Sequence, residues 1–183
     1  MFAARRARRL QVLLQDHGHA VQEFVDRARA LSRSQWVTPR GDGKWTPAQE
    51  TRHVILAYEA FLRELNGGTS MRLRGNVVSR RVWRLFGLTS ILWRKRIPVA
   101  VRAPREVRPE AVTQGPDQLL PELQRRAREF DELFATLWRT TPKRKVTHPF
   151  FGKLSLDHGI RFACVHIRHH AAFLPPPTQG IRS

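Results

Sequence analysis

The chain has 183 residues, enough for one domain with a real core and short for two. Hydrophobic residues make up 41% and charged residues 26%, a globular balance, and the best apolar run, Leu85 to Trp93, is far too short to cross a bilayer. Lys and Arg number 33 against 15 Asp and Glu, so the formal charge is +18.

The first predicted element is a helix over 6–31. Leu10, Leu14, Val21, Phe24, Ala28 and Leu31 recur on one face, and His17 falls on the same stripe as an interior histidine. The basic start of the chain lacks a hydrophobic region and a cleavage site, so no signal peptide is expected there. Ser32 to Lys44 is polar, holds Pro39, Gly41 and Gly43, and reads as a loop. The next boundary is sharp. Thr46, Pro47 and Gln49 form a capping box with proline in the first helical position, which predicts a helix over 47–66 closed by Asn66-Gly67-Gly68. His53, Ala57, Phe61 and Leu65 form its inward stripe.

Met71 to Arg105 forms a basic insertion. It carries Arg72, Arg74, Arg80, Arg81, Arg84, Arg94, Lys95, Arg96, Arg102 and Arg105 and no acid, with Val82, Leu85, Phe86, Ile91, Leu92, Trp83 and Trp93 among them. Such a segment can lie on an anionic membrane or meet phosphates. The favoured reading is a cover folded back over the helices with its arginines outward. A third long helix is predicted over 117–139, with Leu120, Leu123, Ala127, Phe130, Phe134 and Leu137 on one face, and a fourth over 155–174, capped by Ser155 and stopped by Pro175-Pro176-Pro177. Residues 175–183 form a tail. No stretch alternates convincingly as a strand, so the expected fold is all-α, a four-helix bundle in one domain over 1–183.

Two features of the composition bear on partners. Lysine occurs only at Lys44, Lys95, Lys143, Lys145 and Lys153, so the charge is nearly all arginine, a skew that a GC-rich coding sequence also produces. Nucleic-acid or anionic-surface binding is therefore expected to be weak and non-specific. The single cysteine, Cys164, excludes an internal disulfide, makes the cytoplasm the default compartment and reads as a buried filler.

The chemistry lies in the histidines. His166 and His170, four apart on one helix, stack on one face close enough to bind the same ion. His53 points inward from another helix, and buried imidazoles need a partner. His169 is rotated round the helix toward Phe162 and Phe173 and is a poor ligand. His148 and His158 flank loops or a helix start. Glu50, one turn before His53, could orient a ligand; its favoured reading is an acid in the first helical turn.

The segment Gly43-Lys44-Trp45-Thr46-Pro47-Ala48-Gln49 followed by His53 resembles the entrance to the second helix of the DinB superfamily. His148-Pro149-Phe150-Phe151-Gly152-Lys153-Leu154-Ser155 followed by His166 and His170 resembles its fourth, and the stretch from Ala103-Pro104 to Arg108-Pro109 is also similar. The resemblance implies a DinB-type bundle with a long crossover between helices two and three, often a dimer. It also implies a divalent metal, commonly zinc or nickel, on His53, His166 and His170. Family members often carry arginine just before the last histidine; here His169 stands there, preceded by Arg168.

Three nitrogen ligands with an open position are the pattern of catalytic zinc rather than structural zinc. The leading expectation is thus a metal-dependent enzyme acting on a small molecule, a hydrolase or a transferase using a low-molecular-weight thiol. The alternative is a non-enzymatic basic binding protein for nucleic acid or an anionic membrane surface, although no docking motif for nucleic acid is present. No catalytic residue is assigned, and no phosphate loop or dinucleotide fingerprint occurs.

Overall fold

In the computed structural model, residues 2–95, 97 and 102–176 are described. Chain order runs α1 (Phe2–Arg29), α2 (Arg33–Val37), α3 (Pro47–Leu65), α4 (Val77–Val82), a π-helical turn (Trp83–Leu88) and α5 (Thr89–Arg94). A 3-10 turn (Arg105–Val107), α6 (Pro116–Thr140), strands β1 (Lys145–His148) and β2 (Gly152–Ser155), and α7 (Leu156–Ala171) follow.

The four long helices α1, α3, α6 and α7 form a bundle at the predicted positions. α1 packs along α7 and against α6, whereas α3 packs along α6 and touches α7. The two consecutive long helices α1 and α3 therefore stand at opposite corners. Phe24 of α1, Ile55 of α3, Phe130 and Phe134 of α6, and Ile160 and Ile167 of α7 are fully buried between them. Removing each such side chain from water contributes roughly 1.5–3 kcal/mol. His17 is the interior histidine expected. Its Nε2 lies 2.7 Å from the Tyr58 hydroxyl and its Nδ1 2.7 Å from the Asp131 carboxylate, which links α1, α3 and α6 through the core.

The ends of the helices follow from local chemistry. Gly67 takes φ +90°, which a side chain would strain, and lets the amides of Gly67 and Gly68 turn back onto the carbonyls of Glu64 and Arg63. α7 stops at Ala171, not at the expected 174. The amides of Phe173 and Leu174 bond three residues back, tightening the chain ahead of Pro175, which disfavours helix in the residue before it.

Two elements depart from the sequence reading. The stretch taken as a loop contains α2, whose own capping box joins Ser32 and Gln35 and whose Trp36 is buried. The all-α expectation also omits the antiparallel hairpin of β1 and β2, in which Val146 pairs with Leu154 and both turn into the core. Neither strand alternates in burial: the neighbours Val146 and Thr147 are both buried in β1, and Leu154 alone is buried in β2.

The connection from α3 to α6 covers the bundle only in part. Leu88, Ile91 and Leu92 are buried, and α5 packs on α7. Arg72, Arg74, Arg81, Arg84 and Arg94 are exposed as expected, while Arg96 lies outside the described residues. However, Val77, Val78, Val82, Trp83, Leu85, Phe86 and Trp93 are exposed too. The π-helical turn at Trp83–Leu88 takes more residues per turn than an α-helix, so the apolar stripe shifts round the helix there. Among the described residues no helix is long and apolar enough to cross a membrane.

Candidate metal centre

The site starts at two capped helices. The Thr46 hydroxyl accepts from the Gln49 amide at 3.2 Å and the Gln49 side chain accepts from the Thr46 amide at 3.0 Å, which fixes the first turn of α3. Three residues apart on that helix, Glu50 and His53 then share its inner face. On α7, the Ser155 hydroxyl accepts from the His158 amide at 3.3 Å, and His166 and His170 follow one turn apart.

These three histidines meet. Nε2 of His166 lies 3.2 Å from Nε2 of His53 and 3.1 Å from Nε2 of His170. One ring nitrogen from each of the three falls within 4.8 Å of the others, a group able to hold a metal ion. Nitrogens about 2.0–2.1 Å from one tetrahedral zinc stand roughly 3.3 Å apart, close to the distances seen. The far side of two rings is fixed. His53 Nδ1 donates to the Val107 carbonyl at 2.6 Å, and His170 Nδ1 lies 2.6 Å from Glu50 Oε2. With its proton on Nδ1, each ring aims the Nε2 lone pair at the common point.

Burial keeps these groups uncharged. It pushes His53 down to about 4, against a weaker opposing effect of the Val107 carbonyl. Burial first, and then the neighbouring imidazoles, hold His166 and His170 well below the usual histidine range. Burial pushes the Glu50 carboxyl up to about 8, opposed by the Arg40 charge. Three neutral nitrogens this close repel one another unless a proton or cation lies among them. The donor set fits a divalent ion, and the Glu50 carboxyl, neutral without one, is placed to ionise and balance its charge through His170.

The histidines form the floor of a cavity of about 1000 Å³. Trp45 lies 4.9 Å from His53 between ring centroids and stacks on His170 at 6.4 Å. Phe162 stacks on His166, and His148 sits between Phe151 and Phe162 at 4.4 and 4.5 Å. The His148 Nδ1 accepts from the amides of Phe150 and Phe151, and burial pushes this histidine down to about 3. Trp83, Phe86 and Ile91 add a second apolar wall, and Arg40, Lys44 and Arg102 stand at the mouth.

The DinB superfamily profile matches residues 18–174, a span that holds both helices of the site and all three histidines. The chain belongs to the DinB superfamily. A similar solved structure is that of YfiT from Bacillus subtilis, described as a probable metal-dependent hydrolase with an unusual four-helix bundle topology. It is 19% identical, with a TM-score of 0.60 over 90% of this chain and 83% of that one, so the likeness is one of fold. No curated protein matches the chain.

Within this DinB fold the sequence reading needs three corrections. Glu50 is more than an acid in a first helical turn: it is 3% exposed and tied to His170. His169 packs on Phe173 as expected, at 4.4 Å, yet it also lines the cavity instead of turning away, and Phe162 stacks on His166. His148 is part of the cavity wall and not merely a loop flank. Cys164 is the buried filler expected, with its thiol pushed up to about 12 by burial. Arg168 pairs with Asp16 at 2.6 Å and fastens α7 to α1 instead of serving the histidines. The Val107 carbonyl is a backbone atom, for which the residue type carries no signal.

Proposed function

We propose that this DinB protein is a metal-dependent enzyme acting on a small molecule, with one divalent ion, zinc or nickel, held by Nε2 of His53, His166 and His170. The reaction is either hydrolysis or transfer to a low-molecular-weight thiol. The observation that carries this reading is the convergence of three neutral imidazoles, two with their tautomers fixed from behind, at the floor of a cavity large enough for a substrate. When bound, such an ion supplies Lewis-acid chemistry, lowering the pKa of a water or thiol that reaches its open side.

The protein's own residues do the rest. Glu50 and the Val107 carbonyl orient two ligand rings and keep them basic. Trp45, Phe162 and Phe151 exclude bulk water from the floor, which strengthens every charge interaction there. YfiT, described as a probable metal-dependent hydrolase on a similar fold, supports the same class.

Calorimetric titration of chelator-treated protein with zinc and with nickel tests the proposal, alongside ester hydrolysis and thiol-transfer assays on the depleted and reloaded forms. One ion per chain and turnover that returns with the metal are expected. Turnover unaffected by depletion, or no stoichiometric binding of either metal, overturns it.

A further inference from the structure

We propose that the outer face of α4, the π-helical turn and α5 is a docking surface for an anionic lipid membrane. Trp93 is 80% exposed, Phe86 73%, Val77 71%, Val78 70% and Leu85 59%, all within one 17-residue stretch. Soluble proteins seldom leave so many large apolar side chains together in water without a partner. Arg81 and Arg84 are exposed within that stretch and Arg74, Arg94 and Lys95 at its two ends, and the sequence from Met71 to Arg105 holds no acid.

Charge selects the occupant. A second copy of this chain would bring like charges face to face, which opposes self-association through this surface. A nucleic acid would satisfy the arginines yet leave Val77, Val78 and Leu85 in water, since backbone phosphates offer nothing to aliphatic side chains. An anionic bilayer surface takes both kinds of group. The apolar side chains enter the boundary between headgroups and acyl chains, the guanidiniums meet lipid phosphates, and Trp93 suits the boundary itself. Val82, Trp83 and Phe86 are shared between this face and the cavity wall, so docking brings the mouth of the cavity to the lipid.

Co-sedimentation of the full chain with vesicles tests this, using pure phosphatidylcholine against phosphatidylcholine with about 30% phosphatidylglycerol. Binding to the anionic vesicles at low salt is expected, weakened about tenfold or more in the neutral ones. The double variant Leu85→Ser with Trp93→Ser, neither of which lines the cavity, should lose about tenfold as well. So should Arg81→Glu with Arg94→Glu. Circular dichroism, thermal unfolding and metal content of both variants should match the parent, which separates this surface from the metal site. Absence of partitioning into anionic vesicles overturns the proposal, as does full binding by the Leu85/Trp93 variant. Two further results overturn it: duplex DNA binding tighter than lipid binding and indifferent to the Leu85/Trp93 change, or a dimer that this change dissociates.

Discussion

Glu50 joins two parts of the account, since the same carboxyl is buried, pushed up to about 8 and set 2.6 Å from His170. Replacing it by glutamine keeps the shape and an oxygen acceptor but removes the proton that the carboxyl can release when a cation binds. The expected result for Glu50→Gln is a metal affinity about 10–100-fold weaker, with folding retained; calorimetry at neutral pH checks it, and unchanged affinity would detach Glu50 from the site. Acid should act on the metal-free protein through the histidines. His53 titrates near 4 when folded against 6.5 when exposed, and His148 near 3, so from about 6.5 downward the unfolded chain binds protons that the fold refuses. Stability is therefore lost as pH falls through that range, by about 1.4 kcal/mol per unit for each such histidine. Glu50 runs the other way, neutral in the fold up to about 8 against 4.5 when exposed, so its contribution is lost as pH rises between those values. The histidines outnumber it. Urea unfolding of the metal-free form should give greatest stability near pH 6.5, with a steep fall on the acid side; a flat profile down to pH 4.5 would contradict the burial assigned to these groups.

At the scale of elements, the caps do measurable work. Thr46→Ala removes the hydroxyl that accepts from Gln49 and should cost about 1 kcal/mol of stability. Denaturant unfolding checks the cost, and metal affinity should change little, because His53 lies two turns inside α3. Elements of this kind were legible in the sequence. Thr46 to Gln49, the glycines after Asn66 and Ser155 marked helix ends within a few residues, and the periodicity between them named the core stripes. Short elements were not legible. The five residues of α2 hold too few positions to display a period, neither hairpin strand alternates in burial, and tertiary burial of Trp36, Val146 and Leu154 decides them. The site divides the same way. His166 and His170 share a face by spacing alone and His53 by its stripe. The Glu50 contact, the Val107 carbonyl and the place of His148 in the wall depend on how separate segments come together, which no local pattern records.

For the whole molecule, the arrangement of helices makes the centre possible. α3 and α7 are separated in sequence by the long connection, α6 and the hairpin, yet they meet inside the bundle, where α7 brings two histidines to the one on α3. The connection between α3 and α6 then closes over this floor with Leu88, Ile91 and Leu92 inward, and it supplies both the Val107 carbonyl and the outer apolar wall of the cavity. A metal bound by the three histidines would be coupled to folding, since they converge only once the bundle has formed. The most direct test of the central claim is X-ray absorption at the zinc edge of the zinc-loaded protein, repeated on His53→Ala, His166→Ala, His170→Ala and His169→Ala. Three imidazole nitrogens at about 2.0–2.1 Å are expected in the parent and in His169→Ala, with zinc lost or an imidazole missing in each of the other three. A sulfur neighbour from Cys164, or a parent spectrum that survives loss of His53, His166 or His170, would contradict it.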